Sequence, residues 1–160
     1  MFFWAWTCRP RVPGIQAGAQ FGISVSVTAV AAENDRASYE RAFNLIIADG
    51  ADGLIVGDTG EFVSSRESIV GLAARHRLPA IYCYPVFVEA GGLMSYGVDI
   101  EDVFRRAADM TVDVLRGAKP GDIPFYQPTK FELVLNRTTA RSLGLEFPPS
   151  LVGIADEVID

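Results

Sequence analysis

The chain has 160 residues, of which 49% are hydrophobic and 21% charged, enough for one packed domain and too apolar for a disordered polypeptide. Its net charge of −6, with no run of five basic residues, argues against nucleic acid and anionic membrane surfaces, which need clustered Lys and Arg. Two cysteines and one histidine are too few for a disulfide framework or a zinc site.

The opening MFFWAWTC is apolar, but it lacks a positively charged n-region and is too short to span a membrane. A lipoprotein signal ends in a cysteine, yet the apolar stretch before Cys8 is too brief for one. RPRVPG then interrupts any regular element with two prolines and a glycine, so residues 1–13 read as a disordered leader. A short helical piece is expected around Ile15–Phe21. Ile23–Val30 alternates apolar with small polar residues and reads as a strand. Asn34 or Asp35 caps a helix whose inward stripe is Tyr39, Ala42, Phe43, Ile46 and Ile47, closed by Gly50. Gly53–Gly60 is a short buried strand running into a loop at Asp58. Ser64 or Ser65 begins a further helix with Ile69, Leu72 and Ala73 inward, ending near Arg75. His76 lies at that helix end, where a cation suits the dipole.

Pro79–Tyr84 is apolar on both alternations, as a parallel strand covered on two faces requires, and Cys83 reads as a small buried core residue within it. A loop over Pro85–Gly92 and a short strand over Leu93–Tyr96 follow. Asp99 is the expected cap of a helix through Arg116, with Phe104, Ala107, Ala108, Thr111, Val114 and Leu115 as its buried stripe and Gly117 as its stop. A proline-stiffened connector spans Gly117–Pro128, and Phe131–Asn136 is another strand, with Lys130 and Glu132 on a solvated face. Thr138 or Thr139 opens a short helix to Leu143, and IADEVID ends the chain as a terminal turn or frayed. Strands alternating with helices at this spacing imply an α/β fold with a parallel sheet.

Open α/β sheets bind ligands beyond the carboxyl ends of their strands. Asp58 and the adjoining Thr59, then Tyr84 and Phe87, then Ser95, Tyr96 and Asp99 all fall just past such ends and form the candidate ligand-binding set. Four of them have a second reading. Asp58 either holds a ligand amino group or serves a turn. Tyr84 either stacks on a ligand or packs in the core. Asp99 is a helix cap before it is a ligand contact, and Phe87 is a lid aromatic or ordinary packing. GDTGE and GVDIED resemble acidic Mg²⁺ pockets, but the acidic pair and late lysine of such sites are missing. A phosphate-cradling G-x-x-x-x-G-K-[ST] loop is absent too.

Four motifs in order, LPAIY (Leu78–Tyr82), EAGGLMSYG (Glu89–Gly97), GAKPGDIP (Gly117–Pro124) and QPTKFELVLN (Gln127–Asn136), resemble the C-terminal half of ABC-transporter substrate-binding proteins. The resemblance runs from Gly14 to Asp160. It implies a type I periplasmic-binding-protein fold, two α/β lobes joined by three crossovers, which clamps a small solute and delivers it to a membrane permease. Some members are similar to binders of aromatic amino acids. No cofactor and no enzymatic activity are expected. Relatives of this kind are about twice as long, so the chain is expected to be the second lobe, without its opening strand, plus the return crossover, with the first lobe missing. Ser95 and Tyr96 match cleft-facing positions near the hinge. The resemblance implies a periplasmic or extracytoplasmic place of action, whereas the leader, lacking an export signal, leaves the chain as given cytoplasmic. The alternative is a module that binds no solute and associates with itself or another chain.

Overall fold

The computed structural model describes residues 2–5, 18–30 and 35–160. Among these, the strands β1 (Phe2–Ala5), β2 (Val25–Thr28), β3 (Gly53–Val56), β4 (Ala80–Tyr82), β5 (Met94–Val98), β6 (Phe131–Asn136) and β7 (Glu157–Ile159) make one sheet in the order β2-β1-β3-β4-β5-β6-β7. The first five run parallel, β6 is antiparallel to β5, and β7 is parallel to β6. The helices are α1 (Arg36–Ala48), α2 (Gly60–Ser64), α3 (Arg66–Arg75), α4 (Pro85–Glu89), α5 (Ile100–Leu115), α6 (Arg137–Ser142) and α7 (Pro149–Val152). The fold is the expected mixed α/β.

Asp35 caps α1, its carboxylate accepting from the Ser38 amide at 2.7 Å; Asn34 lies outside the described residues. Tyr39, Ala42, Phe43 and Ile46 enter the core as their spacing predicts, but Ile47 is at its edge and exposed. Phe62 from α2, Ile69, Val70, Leu72 and Ala73 from α3, and Leu54, Val56, Ala80 and Tyr82 from the strands complete that layer. His76 ends α3 and stacks on Phe43, with ring centroids 6.1 Å apart.

The structure departs from the sequence reading in several places. Phe2–Ala5, placed in a disordered leader, pairs on both sides as a central parallel strand between β2 and β3. Residues 6–13 are outside the described set, and of the expected helical piece over 15–21 only residues 18–20 are described as helix. Pro85–Glu89 is a helix rather than a loop, since Pro85 suits its first turn and Phe87 and Val88 bury against the core. Gly60–Ser64 is likewise a short helix, capped by Thr59. Asn136, not a threonine, caps α6 by accepting from the Thr139 amide at 2.8 Å. The chain end is pinned as β7, helped by the Leu133 amide, which donates to the Asp156 carboxylate at 2.8 Å.

α5 has the expected span and the expected Asp99 cap, yet none of its residues is buried. Phe104 is 70% exposed and Leu115 81%. Apolar spacing specifies a face that needs cover; the neighbour that provides it has to come from elsewhere.

Candidate functional site

β3 and β4 end side by side, at Val56 and Tyr82, and the chain beyond each forms the same rim. Ser95 pairs with Tyr82, so β5 runs on past that rim through Tyr96, Gly97 and Val98 before Asp99 starts α5. The rim is therefore built from two loops and one projecting strand, the arrangement in which open parallel sheets hold ligands.

Asp58 and Tyr84 meet on it. The Tyr84 hydroxyl donates to Asp58 Oδ1 at 2.5 Å, a short charge-assisted bond. Burial, and then that bond to a carboxylate, push the Tyr84 phenol well above its ordinary pKa. Asp58 itself is exposed, and a carboxylate can accept more bonds than this one. Cys83, between the two elements, donates its thiol to the Val56 carbonyl at 3.4 Å. It is half-buried rather than fully buried. Burial first, and the nearby Asp58 charge second, push its thiol pKa up, which keeps it protonated and slow to react.

The other expected site residues divide. Thr59 is beside Asp58, but its hydroxyl accepts from the Phe62 amide at 3.3 Å and so caps α2. Phe87 is 1% exposed and stacks on Tyr82 with centroids 4.8 Å apart, which makes it core and not a lid. Ser95 is 1% exposed, and its hydroxyl has no hydrogen-bond partner. Paired residues of neighbouring strands share a face, so Ser95 points with Tyr82 into the layer filled by Phe87, away from the rim. Tyr96 takes the opposite face, 53% exposed and stacked on Phe131 at 5.5 Å.

Asp99 belongs to a second cluster. Its carboxylate accepts from the Asp102 amide at 3.0 Å and pairs with the Lys130 ammonium at 2.6 Å, while its own amide donates to the Lys130 carbonyl at 3.0 Å. Lys130, first of all, holds the Asp99 carboxyl below its usual pKa. Tyr126 donates to Asp102 at 2.9 Å, and the Arg106 guanidinium lies 5.7 Å over the Tyr126 ring. These bonds fasten the connector and the start of β6 to the start of α5, while Lys130 itself stays exposed, as the sequence suggested. Lys130 and Tyr126 had no signal of their own in sequence, because each acquires its role from a partner on another element.

Two hollows lie elsewhere. One of about 510 Å³ is lined by Arg137, Ala140, Arg141, Leu145, Phe147 and Val152. Because β6 runs against β5, pairing Leu135 with Met94, α6 starts from the opposite end of the sheet. Another, of about 520 Å³, runs between α5 and the connector and includes Met110, Val114 and Phe125. Among the described residues no group of three or more His, Cys, Asp or Glu side chains is placed to hold a metal ion. None of the described helices is long and apolar enough to cross a membrane.

The family model described as ABC transporter substrate binding protein matches residues 14–159. A tyrosine-binding protein of Clostridioides difficile (strain R20291) is 28% identical over 95 residues, which is 59% of this chain and 28% of that one. A domain from Streptococcus pneumonia, solved in complex with L-Trp, superposes with a TM-score of 0.84 at 22% identity, covering 99% of this chain and 56% of the other. A conserved domain protein of Vibrio cholerae superposes with a TM-score of 0.83 at 21% identity, covering 98% and 54%. The chain thus spans about half the length of these two solved structures, which share its fold.

Proposed function

The chain belongs to the ABC transporter substrate-binding protein family, and from that premise we propose that its Asp58–Tyr84 rim is one wall of a cleft for a small solute, an amino acid. The observation that carries this reading is the Tyr84–Asp58 hydrogen bond at 2.5 Å, at the carboxyl ends of two adjacent parallel strands. Asp58 accepts from the solute ammonium, and Tyr84 fixes the carboxylate and offers a ring edge to the side chain. Tyr96 on the projecting strand supplies a further aromatic surface. The amino-acid class is supported by a relative named as tyrosine-binding and a structural neighbour holding L-Trp. In this reading the solute passes to a membrane permease of an importer, outside the cytoplasm, and no bond is made or broken.

A wall binds less tightly than a closed cleft. A micromolar site is worth about 8 kcal/mol, and half of it leaves affinity at about millimolar or weaker. Calorimetry of this 160-residue chain with L-tryptophan and L-tyrosine tests the reading, with Asp58→Asn alongside. Weak heat that Asp58→Asn abolishes is the expected result; equal heat from both proteins counts against it.

A second reading is favoured by one observation, the exposed apolar side of α5 with Phe104 and Leu115 on it. A patch of this kind promotes association, and in this reading the chain self-associates. Sedimentation over a range of concentrations separates the two readings: a monomer at every concentration removes the second.

A further inference from the structure

Gly97 in β5 stands against the segment that carries Tyr84. A Cβ built on it lies 2.0 Å from the Cys83 carbonyl oxygen and 3.0 Å from the carbonyl carbon. Non-bonded heavy atoms settle at about 3.5–4.0 Å, and a backbone carbonyl cannot swing aside as a flexible side chain does. Gly97 is not among the glycines with positive φ, Gly22, Gly50, Gly91, Gly117 and Gly144. Close approach of two backbones, rather than backbone freedom, is what requires glycine here.

The other flank of the Cys83–Tyr84 segment is tied to β3. The Cys83 thiol donates to the Val56 carbonyl at 3.4 Å, and the Tyr84 hydroxyl to Asp58 at 2.5 Å. The segment is held between a bare backbone on one side and two hydrogen bonds on the other.

We propose that Gly97 is a positioning residue for the Asp58–Tyr84 pair: the missing side chain lets the Cys83 carbonyl lie against β5, and this seats the Tyr84 hydroxyl on the Asp58 carboxylate. The inference rests on reading that pair as the solute-binding wall, and it adds a residue that need not touch solute. It also gives β5, the strand that leads into α5, a direct contact with the site. A side chain at this position must drive the Cys83 carbonyl away by about an ångström or more, and Tyr84 travels with it.

The test uses the full chain with Cys8→Ser, which leaves Cys83 as its single thiol. Two readouts need no solute: the rate of Cys83 alkylation, and the ring resonances of isotope-labelled tyrosine, with Tyr84 assigned through Tyr84→Phe. Gly97→Ala is expected to speed alkylation several-fold and to move the Tyr84 resonance toward its position in Asp58→Asn, leaving Tyr82 in place. A folded Gly97→Ala with unchanged alkylation and an unchanged Tyr84 resonance overturns the proposal. Should Gly97→Ala fail to fold, the reciprocal measurement keeps Gly97 intact: Tyr84→Phe is expected to shift the Gly97 amide resonance and leave that of Val70 alone. An unmoved Gly97 amide overturns it equally. Adding L-tryptophan afterwards separates the two levels. If Gly97→Ala breaks the pair yet the response to solute persists, the solute reading fails and the positioning role stands.

Discussion

Asp99 is held from two sides, by the Asp102 amide at 3.0 Å and by the Lys130 ammonium at 2.6 Å, and both favour the charged carboxylate. Its pKa in the fold is therefore lowered from 3.8, mainly by Lys130. A lowered folded value means that the stabilisation is fully present above the unfolded value and is lost as pH falls through the folded one. Asp99→Asn is expected to lower the melting temperature near neutral pH, with the gap to the wild type closing in strong acid, as pH falls through the lowered folded value. Circular dichroism melts at the two pH values check this; a gap that persists in acid would mean that the carboxylate charge is not what Asp99 contributes. Asp58 makes a separate prediction through Cys83. Its charge helps to hold the thiol pKa up, so Asp58→Asn should expose more thiolate and hasten alkylation at mildly alkaline pH. The caps at Asp35 and Asp99 were legible in sequence because each acts within its own next turn. Ser95 was not, since an alternating strand states that its faces differ but not which of them meets the rim. Thr59 was placed in the ligand-binding set, but its hydroxyl accepts from the Phe62 amide three residues on, a use that its position beside Asp58 did not reveal.

At the level of elements, periodicity fixed where helices lie better than what covers them. α1 and α5 both follow the helical spacing, yet α1 buries Tyr39, Phe43 and Ile46 while α5 leaves Phe104 and Leu115 in solvent. The difference predicts unequal costs. Phe62→Ala, in α2 and 1% exposed, should cost about 3–5 kcal/mol, whereas Leu115→Glu should stay within about 0.5 kcal/mol. Urea unfolding of the two variants measures both. Paired Phe104→Ser and Leu115→Glu should also reduce binding of the dye ANS, and an unchanged signal would place the accessible apolar surface elsewhere. Short elements were the hardest to read. PVFVE has five residues, too few to show a period, and its helix at α4 depends on Pro85 and on the core beneath Phe87. FFWA and EVI became β1 and β7 through strands distant in sequence, which no local pattern reports.

For the molecule as a whole, the sheet order sets the rim where Asp58, Tyr84 and Tyr96 stand, and the hollow at α6 and α7 lies toward the other end. The central claim is that the rim, and not the hollow, receives the solute. Chemical-shift mapping of the 160-residue chain during titration with L-tryptophan, up to about millimolar concentration, tests it most directly. The account predicts shifts at the amides of Asp58, Thr59, Cys83, Tyr84, Tyr96 and Gly97, without saturation at micromolar solute. Shifts centred on Arg137, Ala140 and Phe147, or no shifts at all, would contradict it.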